Sequence, residues 1–332
     1  MFEWWEFKLA PLLAICYATL QFSQTSLATT WQLPLYLLLS LAFGATYVSV
    51  INDLTDIETD RLAGKANRFA DKSIFFKLSI LSVCLLFGIS TIYLWTTLNL
   101  FAGIFYTAAW ISYTLYSVPP FRFKTRSILG VFGDAMGAHF FPYLFVVSAT
   151  FAWVNQPLDF IWLGLVGIWS LAGGIRGILW HQVQDYSSDK NSQVTTFVTK
   201  YSKSLACFLG ERIIFPFEFL AFTGIIFYSQ NLPAGILLIL YFALVWSRSV
   251  VWDINIVIVA PHPKYQIIMN DFYSALYPFS VLILAVFAHP ADLIVGLIHF
   301  ILFPKTLLFT FQDIVLVIID AIKQNRNHIY SE

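Results

Sequence analysis

Apolar stretches of about twenty residues recur along this chain, and no other feature limits its fold so strongly. A helix crossing a bilayer needs about 20 such residues. The stretches fall at roughly 9–27, 33–52, 74–95, 98–117, 129–151, 158–184, 205–228, 231–252 and 267–289. A further stretch, 292–320, is interrupted by Pro304, Lys305 and Asp313, and reads either as a tenth span or as a helix lying along the membrane. Only 11% of the 332 residues are charged and 58% are hydrophobic, against about a quarter charged in soluble domains. The expected fold is an all-α integral membrane protein: nine transmembrane helices, with a possible tenth, in a bundle around a central cavity. No linker or low-complexity tract divides it.

Lys and Arg alternate from one connection to the next. Arg61, Lys65, Arg68, Lys72 and Lys77 follow the second span, Arg122, Lys124 and Arg126 the fourth, and Lys190, Lys200, Lys203 and Arg212 the sixth. Arg248 and Lys264 flank the connection after the eighth. The connections near 28–32, 96–99, 152–157, 229–233 and 289–292 carry neither residue. By the positive-inside rule, the N-terminus and the charged loops are cytoplasmic. The opening residues carry neither a basic signal region nor an Arg-rich transit peptide, so a bacterial inner membrane is the expected location. Glu3, Trp4, Trp5 and Glu6 suit an interfacial anchor. The formal net charge of zero gives no nucleic-acid footprint. Cys16, Cys84 and Cys207 lack metal-type spacing and read as small buried residues.

Against this background the acids at the end of the second span stand out. On a helix, Asp53, Asp56 and Asp60 fall within roughly 60° of arc, with Asn52 beside them. Three carboxylates on one face stay ionised together only with a cation among them. Hard oxygen donors without His or Cys suit Mg²⁺, which keeps waters and bridges to phosphates. A second pair, Asp185 and Asp189, ends the sixth span one turn apart, with His181 a turn earlier. Laid over each other at an offset of 129, Asn52 falls on His181, Asp56 on Asp185, Asp60 on Asp189, Arg61 on Lys190 and Gly44 on Gly173. Two copies of D-x-x-x-D-[RK], four spans apart, are what two pseudo-repeated halves about an axis along the membrane normal would give. Facing across a cavity, they would hold about two or three Mg²⁺ ions that clamp a diphosphate. Lys65, Arg68, Arg122, Lys124 and Lys190 would take its remaining oxygens.

Three motifs together resemble the UbiA-type superfamily of intramembrane prenyltransferases: N-D-x-x-D-x-x-x-D at Asn52–Asp60, Y-S-x-P-P-x-R-x-K at Tyr116–Lys124, and D-x-x-x-D at Asp185–Asp189. The resemblance covers about residues 9–289. It implies a nine-helix prenyltransferase domain over 1–290, followed by a C-terminal apolar helix and short polar tail over 291–332. It also implies a lateral opening to lipid, Mg²⁺ as cofactor and an isoprenyl diphosphate as donor. Carried over by position, Asn52, Asp53, Asp56, Asp60, Asp185 and Asp189 would hold metal and diphosphate, while Lys65, Arg68, Arg122 and Lys124 would contact phosphate oxygens. Two positions depart from the usual pattern: Phe69 stands where Pro is common, and His181 where Tyr is common. The implied reaction ionises the diphosphate and delivers the allylic cation to a lipophilic or aromatic acceptor inside the membrane. His181 is a candidate base, diphosphate donor or packing group. Arg176, within the sixth span, would hold an acidic acceptor or pair with Asp134. Asp253 and Asp271 read as solvated or capping groups. The alternatives are a membrane-embedded terpene cyclase, in which the same ionisation lacks an external acceptor, and a secondary transporter. Transport sites belong near the bilayer midplane, whereas these acids sit at helix ends.

Overall fold

A computed structural model describes residues 2–62, 64–191 and 194–329, with side chains described from 5 to 323. The expected anchor residues Glu3 and Trp4 therefore have side chains outside the described range. Among the described residues helices dominate, joined by turns and loops, with one short parallel strand pair and an isolated bridge between Ser127 and Thr196. In order, the helices are α1 Phe2–Phe22, α2 Gln32–Leu62, α3 Ile74–Leu98, α4 Leu100–Ser117, α5 Ile128–Ala135, α6 Phe141–Trp153, α7 Phe160–Gln184, α8 Tyr186–Asn191, α9 Phe197–Lys200, α10 Lys203–Leu209, α11 Phe215–Tyr228, α12 Leu232–Trp252, α13 Tyr277–Ala288, α14 Leu293–Leu302 and α15 Pro304–Ile329. Strands β1 (Asn255–Val257) and β2 (Tyr265–Ile267) pair in the connection after α12. Turns of π-helix join α5 to α6 at Met136–Phe140 and α10 to α11 at Gly210–Ile214, and another leads into α13 at Phe272–Leu276.

Polar residues between the apolar runs set the helix starts. Ser73, Asn99, Asp159 and Asn231 each accept a backbone N–H in the first turn of α3, α4, α7 and α12, satisfying donors that have no partner within the helix. Every expected span coincides with a helix or an unbroken helical run. Among the described residues, α2, α3, the run Ile128–Trp153, α7 and α12 are long and apolar enough to cross a membrane; a sixth is added if the segments Pro290–Leu302 and Pro304–Lys323, bent by 87°, count as one. On α3, Ile74, Leu86, Ile89 and Tyr93 are each more than 60% exposed. So broad an apolar surface suits contact with lipid.

Packing divides the chain into two units, residues 32–223 and residues 1–31 with 224–332. In the first, the Tyr47 ring of α2 stacks 4.3 Å from Trp110 of α4, and its hydroxyl lies 2.7 Å from Thr114 Oγ1. Trp95 Nε1 of α3 donates to Ser40 Oγ at 2.9 Å, and the Tyr106 hydroxyl donates to the Ser40 carbonyl at 2.7 Å. α7 packs closely on α5 through Gly174, where a Cβ would come within 3.0 Å of the Ala135 backbone. In the second unit α1 lies along α13, with the Gln21 amide donating to the Val281 carbonyl at 2.5 Å.

Candidate active site

The first acidic set sits where α2 continues past its apolar run to Leu62. The chain then turns back on itself. The Lys65 amide donates to the Asp60 carbonyl at 2.8 Å. Asn67 Nδ2 donates to the Asp53 carbonyl at 2.9 Å and to Asp60 Oδ2 at 2.8 Å, while its Oδ1 accepts the Phe69 amide at 2.9 Å. This pin brings the Arg68 Nε to 2.5 Å from Asp53 Oδ2 and its terminal nitrogen to 2.6 Å from Ser49 Oγ. The hydrogen bond to Asp53 holds the Arg68 guanidinium above its usual basicity. Phe69 is buried and anchors the returning loop.

The loop after α4 supplies two more cations. Arg122 adopts a left-handed backbone, φ 38°, a conformation that costs a side-chain-bearing residue about 1–3 kcal/mol. Its amide bonds the Val118 carbonyl at 2.9 Å, and its guanidinium donates to Asp56 Oδ1 and Thr59 Oγ1, both at 2.9 Å. Lys124 Nζ lies 2.6 Å from each Asp56 oxygen and 2.9 Å from Asn52 Oδ1. Ser117 Oγ donates to that same Asn52 oxygen at 3.4 Å. Burial lowers the basicity of Lys124, and the Asp56 contacts only partly restore it.

The second acidic set is built differently from the sequence expectation. α7 stops at Gln184; Asp185 is its C-cap, and Asp189 lies in the separate short α8. Only the bond from the Asp189 amide to the Asp185 carbonyl, 2.9 Å, keeps the one-turn spacing across the break. Asp185, at φ −83° and ψ 1°, is the one residue between the two helices. Gln182 Oε1 accepts the amides of Phe197 at 3.0 Å and Val198 at 3.4 Å, clamping α9 to α7. The Ser127 amide, just beyond Lys124, bonds the Thr195 carbonyl at 3.4 Å. The loop after α4 and the segment after α8 are therefore joined.

Two groups, one in the first loop and one at the end of α4, reach the second acidic set. Lys65, from the first loop, lies within electrostatic range of Asp189. The Tyr116 hydroxyl lies within range of Asp56, Asp189 and Asp134 together. Burial and the neighbouring Asp185 raise the Asp189 carboxyl above the usual range, against the opposing pull of Lys65 and a hydrogen bond from Thr196. His181 is exposed one turn before Asp185, its ring edge-on to Trp180 at 4.9 Å. Lys190 is also exposed; its Nζ lies 5.8 Å from the centre of the Tyr186 ring.

Among the described residues no three His, Cys, Asp or Glu side chains stand close enough to hold a metal by themselves. A Mg²⁺ site needs only one or two carboxylates, the rest coming from water and substrate phosphate. The cradle of Asn52 Oδ1 and both Asp56 oxygens already closes around a cation, the Lys124 ammonium. Its donor set, all hard oxygens, fits Mg²⁺.

Sequence reasoning missed Asn67, Thr59 and Gln182. Asn67 sits among the charged residues of its loop without a pattern of its own, and Gln182 reads as one more helix residue. It also missed a partner of Arg176, Glu218 of α11: Nε to Oε2 at 2.6 Å and a terminal nitrogen to Oε1 at 2.8 Å, both side chains buried.

The UbiA prenyltransferase family matches residues 12–257. The chain belongs to this family. A solved UbiA homologue from Archaeoglobus fulgidus bound to GPP and Mg²⁺ shares the fold with a TM-score of 0.57 and 15% identity, covering 87% of this chain and 95% of its own. Another structure of a UbiA homologue from the same organism gives 0.51 at 14% identity, with the same coverage. No curated protein matches this chain by sequence. The family and the apolar helices make this an integral membrane prenyltransferase.

Proposed function

We propose that this member of the UbiA prenyltransferase family transfers a prenyl group from an isoprenyl diphosphate to a lipophilic or aromatic acceptor within the membrane, with Mg²⁺ bound at the two acidic sets. The observation that carries this reading is the shared environment of the sets: a cation cradle at Asn52 and Asp56, with Lys65 and Tyr116 within electrostatic range of Asp189. The archaeal homologue bound to GPP and Mg²⁺ supports it on fold and family. The full architecture in this reading is a nine-span bundle of two pseudo-repeated halves about a central cavity, the acidic ends on the cytoplasmic face of a bacterial inner membrane.

Metal bound there supplies Lewis-acid neutralisation of the diphosphate. Asn52, Asp53, Asp56, Asp60, Asp185 and Asp189 would hold it. Lys65, Arg68, Arg122, Lys124 and Lys190 would meet the oxygens it leaves free. As the C–O bond breaks, charge grows on the departing diphosphate, and cations fixed beforehand stabilise that charge more than the ground state. Lys124 and Arg122 are suited to this, since each already spans to Asp56 and needs only a shift of partner. Apolar helices exclude water from the allylic cation, and aromatic faces stabilise it without attacking. His181, a turn before Asp185, is placed to take up the proton released on capture. The test uses protein reconstituted in liposomes and supplied with geranyl diphosphate. EDTA should abolish diphosphate release and added Mg²⁺ restore it; release indifferent to chelation would remove the mechanism.

A further inference from the structure

Beyond the family match, the chain carries a helix whose polarity is inverted. α15 turns Thr306, Thr310, Asp313, Val317 and Asp320 toward the protein. Its outward face carries Leu308, Phe309, Val315, Ile318 and Ile322, each 53–60% exposed. In water such a helix would expose the face that ought to be buried.

Contacts at both ends fix where it lies. At its start, Glu6 accepts the amides of Lys305 at 2.9 Å and Thr306 at 2.7 Å, and the Thr306 hydroxyl at 2.7 Å. Trp5 donates to the Leu302 carbonyl at 3.0 Å and stacks on Phe303. Farther along, the buried Arg248 guanidinium binds Asp313 at 2.7 Å and Asp271 at 2.9 Å, and Trp252 Nε1 donates to Asp320 at 3.1 Å.

These anchors share one end of their unit. α1 and α13 run the same way, because Gln21 meets Val281 and, just past both helices, Asp292 accepts the amides of Leu27 and Ala28. Glu6 therefore lies at the end where the run into α13 begins. α12 finishes at that end too, with Arg248 against Asp271. α15 thus reaches from one marker of this end to another over about 22 Å of helix. The 87° bend after α14 turns it there. Three readings, that it spans, that it pairs with another protein, and that it lies in a leaflet, predict different surroundings for the outward face. Only the last leaves both ends at one level and needs no partner surface. The neighbouring outward side of α12 is equally apolar, with Trp246 and Val250 more than 60% exposed.

We propose that α15 lies in the bilayer leaflet at the end marked by Glu6 and Trp252, its outward face among acyl chains. The inference rests on family membership and unit geometry, and stands whether or not the proposed chemistry does. Cys16, Cys84 and Cys207 are replaced by Ala, and Leu308→Cys or Ile322→Cys is spin-labelled in the full chain, reconstituted in phosphatidylcholine–phosphatidylglycerol vesicles. The two sites are about 21 Å apart along the helix. Power-saturation EPR should find both labels open to oxygen, shielded from a water-soluble nickel chelate, and within about one helical turn, ~5 Å, in depth. A depth difference near the full separation would make α15 a span. Labels shielded from oxygen would place protein on this face, and labels open to the chelate would place water there; any of these overturns the proposal. If either label prevents folding, Phe309→Cys and Ile319→Cys allow the same comparison.

Discussion

The two acidic helix ends carry the same D-x-x-x-D-[RK] pattern and are built in opposite ways. At the first, α2 runs unbroken through Asp60, and its acids are answered by Arg68, Arg122, Lys124 and Asn67 at hydrogen-bond distance. At the second, the helix breaks at Asp185. Lys65 is a charged neighbour of Asp189, whose carboxyl is held above the usual range. The difference is one residue of backbone: Asp185 leaves helical geometry at ψ 1°, whereas Asp56 lies inside α2. An identical spacing of acids therefore does not specify an identical site. The first end is a preassembled cation cradle, and the second keeps acid character that a shared ligand can exploit.

Breaking the comparison begins with the acids themselves. Asp56→Asn and Asp185→Asn should each lower turnover by about 10²–10³-fold, the scale of losing a group that stabilises transition-state charge, with the protein still extractable and folded by circular dichroism. If only Asp56 mattered, the second end would be structural. Next comes Lys124→Gln, expected to weaken both diphosphate binding and turnover by roughly 10–100-fold, since a buried charge-assisted contact is lost. Because burial already lowers the basicity of Lys124, its ammonium is lost at lower pH than an ordinary lysine. The alkaline limb of the pH–affinity profile should therefore move upward in Lys124→Arg, where the charge persists.

Asn67→Ala should have a smaller effect, on the order of 3–10-fold on the Michaelis constant, because it removes hydrogen bonds that position Arg68. Lys190→Ala should stay within about twofold: its side chain is exposed, and exposed charges contribute little. A loss there as large as at Lys124 would mean that the second end gathers cations on loading, and would narrow the difference between the ends.

Much of this was legible in the sequence. The apolar runs located the long helices, because hydrophobic length is a property of the segment alone; the short α8 and α9, at Tyr186–Asn191 and Phe197–Lys200, lie outside every run. The three motifs identified the family, and the Asp and Arg/Lys types identified the first cradle. The helix break at Asp185 was not legible, because residue spacing carries over to a broken helix while direction does not. Nor was Asn67, whose importance is a loop geometry, or the Arg176–Glu218 pair, in which Glu218 comes from a distant helix. Asp271 reads as a solvated or capping group in sequence, yet it is half of an ion pair with the buried Arg248. The inverted polarity of α15 was hidden for a related reason: its pattern shows two faces but not which one turns inward.

The central claim is that both ends act on one diphosphate. It is tested most directly by Mn²⁺ binding, followed by EPR, in the presence of inorganic pyrophosphate, for the wild type, Asp56→Asn, Asp185→Asn and the double variant. The account predicts that each single change removes most of the pyrophosphate-dependent binding and that the double variant is scarcely worse, the non-additivity of groups sharing a ligand. Two independent losses that simply add, or undiminished binding in Asp185→Asn, would contradict it.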